Sequence, residues 1–259
     1  MSINVGTSGY SYKFWGPIKN SKGLKCDSYY PTTVSKNWLK KYSQDFKSLE
    51  INSTRYSTLK PSSCEKWASI VPEDFTFTIK APLFITHQKK LNDFEDWWNK
   101  FKPCIDALGK KFLCLLFQFP PKFYCTKSNI EKLQNIKRIL PYDIKCAFEF
   151  RDNEWYNEPL NELFKNNWTQ VINVVPELRN EDANFGNLSG GIHIGVINPT
   201  FIYIRFHGTT GYSCGTYNKK LKEYIDIINE IKTDSSEFIN KIKAENSVIY
   251  RQLDNVTFF

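Results

Sequence analysis

The sequence predicts an α/β protein of the (β/α)8 TIM-barrel type, built as a single domain over residues 1–259. Three observations predict it. Short β-rich runs alternate with helical stretches along the whole chain. Eight such units in 259 residues come to about 32 residues each, close to the roughly 250 residues of a (β/α)8 barrel. Several runs are continuously apolar, notably Phe112-Leu113-Cys114-Leu115-Leu116-Phe117, as parallel strands covered on both faces are.

The first strand is expected over residues 4–7, followed by a loop-like stretch, 10–30, with Gly16-Pro17 and Lys22-Gly23. Residues 35–45 carry Trp38, Leu39 and Tyr42 at helical spacing. Strand two follows at 48–53. The helix at 61–70 opens on Pro61-Ser62-Ser63, with proline where a first turn tolerates it. Strand three spans 75–80. The helix at 94–108 contains Pro103, whose missing N–H predicts a kink or break. Strand four (112–118), a helix (128–140), strand five (145–150), a short helix (159–166) and strand six (169–175) continue the alternation. Residues 176–199 hold Gly186, Gly190, Gly191 and Gly195 without a periodic signal, which predicts a long loop. Strand seven is placed at 201–206, a helix at 219–231 and strand eight at 247–250. The eighth unit is therefore expected to be irregular or shortened.

The competing topology is an open doubly wound sheet. The first strand–loop reads Gly6-Thr7-Ser8-Gly9. It contains neither GxGxxG nor GxxxxGK[ST], which argues against a dinucleotide or P-loop site.

Composition excludes several classes. With 41% hydrophobic and 16% aromatic residues the chain can build a core and is not a disordered one. No run approaches the roughly 18 apolar residues of a membrane span, so no membrane partner is expected. The start, Met1-Ser2-Ile3-Asn4-Val5, does not read as a secretory leader. The seven cysteines, at 26, 64, 104, 114, 125, 146 and 214, form no CxxC. Reduced thiols in an intracellular, cytoplasmic setting are the expectation. The net charge of +8 comes from 29 lysines and only six arginines, alongside 23 asparagines. An AT-rich coding sequence would give that bias, and the lysines are dispersed. Nucleic acid is therefore an alternative partner rather than the leading one.

In a barrel, chemistry sits where strands end and βα-loops begin. The polar residues there are Ser8 and Tyr10 after strand one, Glu50 and Asn52 in strand two, Lys80 at the end of strand three, and Gln118 at the end of strand four. Strand five supplies Glu149, Arg151 and Asp152. Strand seven supplies Arg205 and His207. Four of the six arginines, Arg55, Arg151, Arg205 and Arg251, fall at predicted strand ends. Arginine's planar fork grips carboxylate or phosphate at two points. One reading is an anion-binding pocket; the other is internal pairing of the arginines with Glu50 and Glu149, because a buried carboxylate needs a partner. The two glutamates also fit a general acid/base pair, or each orients a neighbouring cation. His207, in Arg205-Phe206-His207-Gly208, is the leading candidate for proton transfer, and a core histidine is the alternative. His87 is a weaker candidate, and His193 reads as a solvated loop residue. A divalent metal is conceivable but disfavoured: no HxxxH or HxE spacing is present and the surroundings are basic. No metal site or cofactor is assigned.

The residues also carry a family resemblance. Gly6-Thr7-Ser8-Gly9-Tyr10-Ser11-Tyr12, Tyr29-Tyr30-Pro31, Glu50-Ile51-Asn52-Ser53-Thr54, Lys80-Ala81-Pro82, Phe117-Gln118-Phe119-Pro120-Pro121, Phe148-Glu149-Phe150-Arg151 and Tyr203-Ile204-Arg205-Phe206-His207-Gly208 occur in this order. In these stretches the chain resembles the DUF72, or YecE-like, family. The resemblance implies a TIM barrel with its shared polar residues at the barrel mouth, and names no reaction. Two departures from the family pattern are Arg55, where the family usually has Phe, and Arg251-Gln252, where it usually shows Asn-Asn.

The function expected from the sequence is enzymatic: acid/base chemistry, hydrolysis or isomerisation, on a small anionic, phosphorylated or sugar-containing substrate. Glu149, His207 and Glu50 are the candidate catalytic groups. Arg151, Arg205, Lys80, Asn52, Gln118, Ser8 and Tyr10 are the candidate binding groups. A nucleic-acid-processing protein and a catalytically inactive binding module are the alternatives.

Overall fold

The computed structural model of the protein describes residues 2–17, 28–31, 34–52, 59–157, 160–175, 185–196, 201–207, 226 and 255–258. Parallel strands alternate with helices in a mixed α/β architecture of TIM-barrel-like kind. The strands are β1 (Ser2–Ser8), β2 (Ser48–Ile51), β3 (Thr76–Lys80), β4 (Phe112–Gln118), β5 (Cys146–Glu149), β6 (Trp168–Gln170), β7 (Ile172–Val175), β8 (Gly191–His193), β9 (Ile202–Phe206) and β10 (Asn255–Phe258). They join in the order β6-β5-β4-β3-β2-β1-β10-β9-β7-β8. The β7–β8 pair is antiparallel; the others are parallel. The helices are α1 (Trp38–Asp45), α2 (Pro61–Ile70), α3 (Phe94–Leu108), α4 (Lys127–Ile139) and the single turn α5 (Glu154–Asn157). No helix of the described residues is long and apolar enough to cross a membrane.

Strands one to five and seven lie where the apolar runs place them, within two residues at each end. Predicted strand six is divided at Val171. Its first part, β6, pairs with β5, and its second part, β7, pairs with β9. The strand beside β1 and β9 is β10, Asn255–Phe258, several residues beyond the predicted 247–250. Arg251 thus precedes this strand instead of following it. The predicted strand 247–250, the helix 219–231 (apart from the single residue 226), Arg55, Arg251 and Cys214 lie outside the described residues.

Four further expectations are corrected. Helix α3 runs unbroken through Pro103, because its buried face of Phe94, Trp98, Phe101, Ile105 and Leu108 is held by the core. The predicted helix 159–166 is a series of turns over 161–164 that buries Leu160, Leu163 and Phe164. The glycine-rich segment is not loop throughout: Gly191–His193 forms β8, and Phe185 and Leu188 pack on Val175. His193, read as solvated, is half-buried, its Nε2 2.8 Å from the Ser189 carbonyl.

Strand alternation sorts the side chains onto two faces. Leu49, Ile51, Phe77, Ile79, Leu115, Phe117, Cys146 and Phe148 join the helices in the larger apolar core. Cys114, Leu116, Ala147, Val171, Phe201 and Tyr203 form a second, smaller cluster on the opposite face. Residues of that second phase include, one step further along their strands, Gln118, Glu149, Asn173 and Arg205. The sheet therefore carries its polar groups on one face and at one end.

An aromatic stack fixes the end of β5. Phe150 lies 4.1 Å from Trp155 and 5.2 Å from Phe119, centroid to centroid, and Phe119 lies 4.2 Å from Phe123. The Trp155 Nε1–H donates to the Phe123 carbonyl at 2.7 Å. Burying each such ring is worth about 1.5–3 kcal/mol. The stack holds Phe148 and Phe150 on the helix side, so Glu149 between them must face the other way.

Candidate functional site

Ser8, Lys80, Gln118 and Glu149 are the last residues of β1, β3, β4 and β5. Glu50 and Arg205 stand one residue before the ends of β2 and β9, with Asn52 and His207 just beyond them. These side chains converge on one network. Arg205 is its centre. Its Nε donates to Glu50 Oε2 and its Nη2 to Glu50 Oε1, each at 3.0 Å. Its Nη1 donates to Glu149 Oε2, and Nη2 also reaches Ser8 Oγ at 3.0 Å. The second guanidinium, Arg151 Nη2, pairs with Glu149 Oε1.

The two carboxylates are engaged from other sides as well. Ser8 Oγ donates to Glu50 Oε1 at 2.7 Å, and the Tyr203 hydroxyl to Glu50 Oε2 at 3.0 Å. The Gln118 amide donates to Glu149 Oε2 at 2.9 Å, while its oxygen accepts from Lys80 Nζ. Asn52 Nδ2 donates to Ser8 Oγ at 2.6 Å. The Asn52 Oδ1 atom is buried without a hydrogen-bond partner among the described residues.

His207 closes the network on its far side. Its Nε2 lies 3.1 Å from Asn173 Oδ1 and 3.5 Å from Glu149 Oε1. Asn173 Nδ2 donates to the Tyr156 hydroxyl at 2.7 Å, which donates to the Phe150 carbonyl at 3.2 Å. This chain turns the Asn173 oxygen toward the imidazole. With two acceptors before it, Nε2 carries the proton of the neutral ring, and Nδ1 keeps the lone pair.

The electrostatics follow from burial and charge. Burial alone would raise the Glu149 carboxyl, but the Arg151 and Arg205 guanidinium groups and the His207 contact outweigh it and hold it well below the usual range. Burial would weaken Arg205 as a base, and Glu149 and Glu50 reverse that, so it stays charged. His207 is pushed down to about 4, by burial first and by the Arg151 charge, so it is neutral near pH 7. Lys80 is lowered to about 8, by burial first and by Arg205, against the pull of Glu50 and Glu149. Glu50 and Glu149 against Arg151 and Arg205 cancel in charge. Lys80 is a further cation beside them.

Exposure separates two layers. Glu50 and Glu149 are fully buried, and Arg151 and Arg205 nearly so. Ser8, Asn52, Lys80, Gln118 and His207 are half-buried and form the outer layer. Beside them Phe185 lies under the Arg151 guanidinium at 4.4 Å and edge-on to His207 at 4.8 Å. Gly186, at φ +63°, lets this turn sit on the Arg151 carbonyl, where a Cβ would approach to 2.1 Å.

The structure thus brings together Ser8, Glu50, Asn52, Lys80, Gln118, Glu149, Arg151, Arg205 and His207. It does not bring in Tyr10, whose ring packs 6.3 Å from Tyr42 and whose hydroxyl meets Trp67. His87 lies in the π-helical turn Phe84–Gln88, its Nδ1 2.9 Å from Thr86 Oγ1. Sequence reasoning missed Asn173, Tyr156, Tyr203 and Phe185. Asn173 carried a signal: like Glu50, it is a lone polar residue in an apolar strand, Val-Ile-Asn-Val-Val.

Among the described residues no three carboxylate, imidazole or thiol groups converge as a ligand set. A surface groove of about 770 Å³ lies elsewhere, between the start of α3 and α4, and is rimmed by Asp93, Glu95, Asp96 and Glu131. Its acidic rim does not suit an anion.

Comparison with known proteins gives one family. The model of the family described as "Protein of unknown function DUF72" matches residues 4–249. The chain is 36% identical over 143 residues to UPF0759 protein YunF of Bacillus subtilis (strain 168), covering 52% of this chain and 50% of that protein. It is 31% identical over 122 residues to UPF0759 protein YecE of Escherichia coli (strain K12), covering 46% and 43%. The matched stretch spans half or less of the length of these curated relatives. Two crystal structures share the fold. One is a DUF72 family protein from Thermotoga maritima MSB8, with TM-score 0.63, 23% identity and coverage of 100% of this chain and 92% of that one. The other is a DUF72 family protein from Enterococcus faecalis V583, with TM-score 0.61, 21% identity and coverage of 99% and 89%.

Proposed function

The chain belongs to the DUF72 family, and from that premise we propose that it is a one-domain (β/α)8 barrel enzyme acting by acid/base chemistry on a small anionic substrate, phosphorylated or sugar-containing, at the barrel mouth. Closure of the barrel is supported by the split sixth strand: β6 pairs with β5 while β7, after Val171, pairs with β9. On this reading the chain of parallel pairs from β5 through β1 to β9 returns on itself.

The observation that carries the functional reading is the place of Lys80, at the end of β3 in the half-buried layer above the paired Glu50, Glu149, Arg151 and Arg205. Arg205 is engaged by Glu50, Glu149 and Ser8, so its role is to organise the two carboxylates. Lys80, in the half-buried outer layer, is the cation that meets an anion, and Arg151 lies behind it on Glu149. Asn52 Oδ1, buried without a partner among the described residues, supplies an acceptor for a ligand hydroxyl. Glu149, held ionised, and Glu50 keep the cations in place. Proton transfer falls to Lys80, whose pKa is nearest neutrality among these groups, and to the lone pair of neutral His207.

The test is thermal stability against phosphate, sugar phosphates, sugar acids, nucleotides and short DNA, each with and without divalent metal. A ligand at about 100 times its dissociation constant adds roughly 2.7 kcal/mol. Stabilisation by one class of small anion, lost in Lys80→Met and Arg151→Ala, is the expected result. Stabilisation by DNA alone, erased by salt, would replace this reading with the nucleic-acid one.

A further inference from the structure

We propose that Asn52 is a specificity-determining residue whose Oδ1 accepts a hydrogen bond from a ligand hydroxyl, so that the site takes a polyhydroxylated anion, a sugar phosphate or sugar acid, and rejects the same anion on a bare alkyl chain. This deepens the reading of the strand-end cluster as a substrate site and rests on it.

Glu50 meets Arg205 at two points, and a carboxylate so paired only accepts. The single Ser8 hydroxyl proton therefore goes to Glu50 Oε1, 2.7 Å away. The Ser8 oxygen is left to accept, from Arg205 Nη2 at 3.0 Å and from Asn52 at 2.6 Å. Asn52 must turn its NH2 group to Ser8, because the reverse orientation would set its oxygen against an oxygen with no proton to give. The neighbours thus fix the amide, and Oδ1 is directed away from Ser8. There it is buried with no hydrogen-bond partner among the described residues. An unpaired buried acceptor is costly and rare in a folded protein. Asn52 itself follows β2 directly and belongs to the half-buried outer layer, so the missing donor comes from a ligand.

The surroundings choose the kind of donor. A ligand ammonium would be set beside the Arg205 guanidinium, which shares Ser8 with Asn52; a neutral hydroxyl brings its proton without that repulsion. A second group favours a sugar. The Tyr12 hydroxyl donates to the Ser8 carbonyl, and its half-buried ring packs 5.1 Å from Trp15. Gly9, at φ +99°, leaves room for it: a Cβ there would come to 2.9 Å from the Tyr12 oxygen. An aromatic ring and an unmet acceptor therefore flank the same strand end, the pairing that holds the C–H face and the O–H edge of a sugar. Beyond Arg205, His207 turns Nε2 to Asn173 and Glu149, and its Nδ1 lone pair is a second acceptor. A ligand that meets both needs hydroxyls on more than one carbon.

The test is calorimetric titration of the whole protein and of Asn52→Leu with two pairs matched in charge, ribose 5-phosphate against n-pentyl phosphate and gluconate against hexanoate, and with the uncharged polyol sorbitol. At least one hydroxylated anion is expected to bind the wild type about tenfold or more tighter than its alkyl partner. Asn52→Leu should cut that ratio about tenfold, by weakening the hydroxylated member alone. If the variant does not fold, a crystal structure of the wild type with the tighter hydroxylated probe decides: a ligand hydroxyl on Oδ1 upholds the inference, and any other partner there overturns it. Equal binding of both members of each pair, or a ratio unchanged in the variant, also overturns it, while an alkyl anion that still binds leaves the anion site standing. Sorbitol binding that Asn52→Leu abolishes, with no anion bound, keeps the role of Asn52 and removes the anion reading. If no probe binds, both fall.

Discussion

Arg205 meets Glu50 at two points, Nε to Oε2 and Nη2 to Oε1, each 3.0 Å long. Both groups are buried, and Tyr203 and Ser8 complete the carboxylate's shell. The pair ties β2 to β9 across the polar end of the sheet. Removing Glu50 leaves Arg205 and Arg151 to share the one carboxylate of Glu149, and a buried charge short of its counter-ion costs more than the pair itself contributes. Glu50→Gln is therefore expected to destabilise the protein by about 3–5 kcal/mol, read by urea denaturation at pH 7. A loss under about 1 kcal/mol would mean that the pair is solvent-relaxed.

Acid should weaken the fold through His207. Its folded value is about 4 against 6.5 for the free side chain. Between those values the unfolded chain binds more protons, so stability rises with pH across the window and falls as pH drops from 6.5 toward 4. Glu149, held low by Arg151 and Arg205, continues the loss below 4.5. The check is denaturant stability at pH 7, 5.5 and 4.5 for wild type and His207→Asn. The variant should lose most of the slope above pH 5; equal slopes would show that the imidazole does not titrate this way.

The turn at Gly186 should tolerate no side chain. Its φ of +63° and the 2.1 Å approach of a Cβ to the Arg151 carbonyl predict a cost of about 1–3 kcal/mol for Gly186→Ala. Because Phe185 touches both Arg151 and His207, ligand stabilisation should fall with it. An unchanged melting temperature would contradict the close approach.

Lys80→Met should stabilise the unliganded protein while abolishing ligand binding. The amine sits near 8 in the fold against 10.5 unfolded. Below pH 8 the fold bears the full cost of the charged form, and that cost disappears as pH rises to 10.5. At pH 7 the variant should gain about 1–3 kcal/mol, a gain that shrinks by pH 10. Thermal unfolding at the two pH values decides it, and a destabilised variant at pH 7 would refute it.

Much of this was legible from residues alone. Apolar runs such as Phe112–Gln118 locate β4 to the residue, because a strand covered on both faces has no other pattern. The strand-end polar list contains nine members of the network for the same reason: parallel strands deliver their final residues to one edge. What the sequence left open was whether the arginines face a ligand or each other. That depends on side-chain reach across strands far apart in the chain, as between Glu50 and Arg205. Tyr10 shows the converse: adjacency to a strand end did not bring its ring to the site, because Tyr42 and Trp67 hold it elsewhere. Asn173 needed the phase of a strand whose bend at Val171 leaves no periodic trace. The last strand escaped because its residues, Asn255–Phe258, make too short a run to distinguish from the neighbouring 247–250.

The central claim is that Lys80, buried at the strand ends beside Arg205, is a readily deprotonated amine. Titration of the lysine ε-carbons by NMR, in protein carrying carbon-13-labelled lysine and with Lys80→Arg to assign the resonance, measures this directly. The account predicts a lysine resonance with a midpoint near 8, absent from the variant and well below the roughly 10.4 of a free lysine side chain. A Lys80 midpoint in that ordinary range would mean that burial beside Arg205 does not weaken the amine as a base, and the reading of the cluster would fail with it.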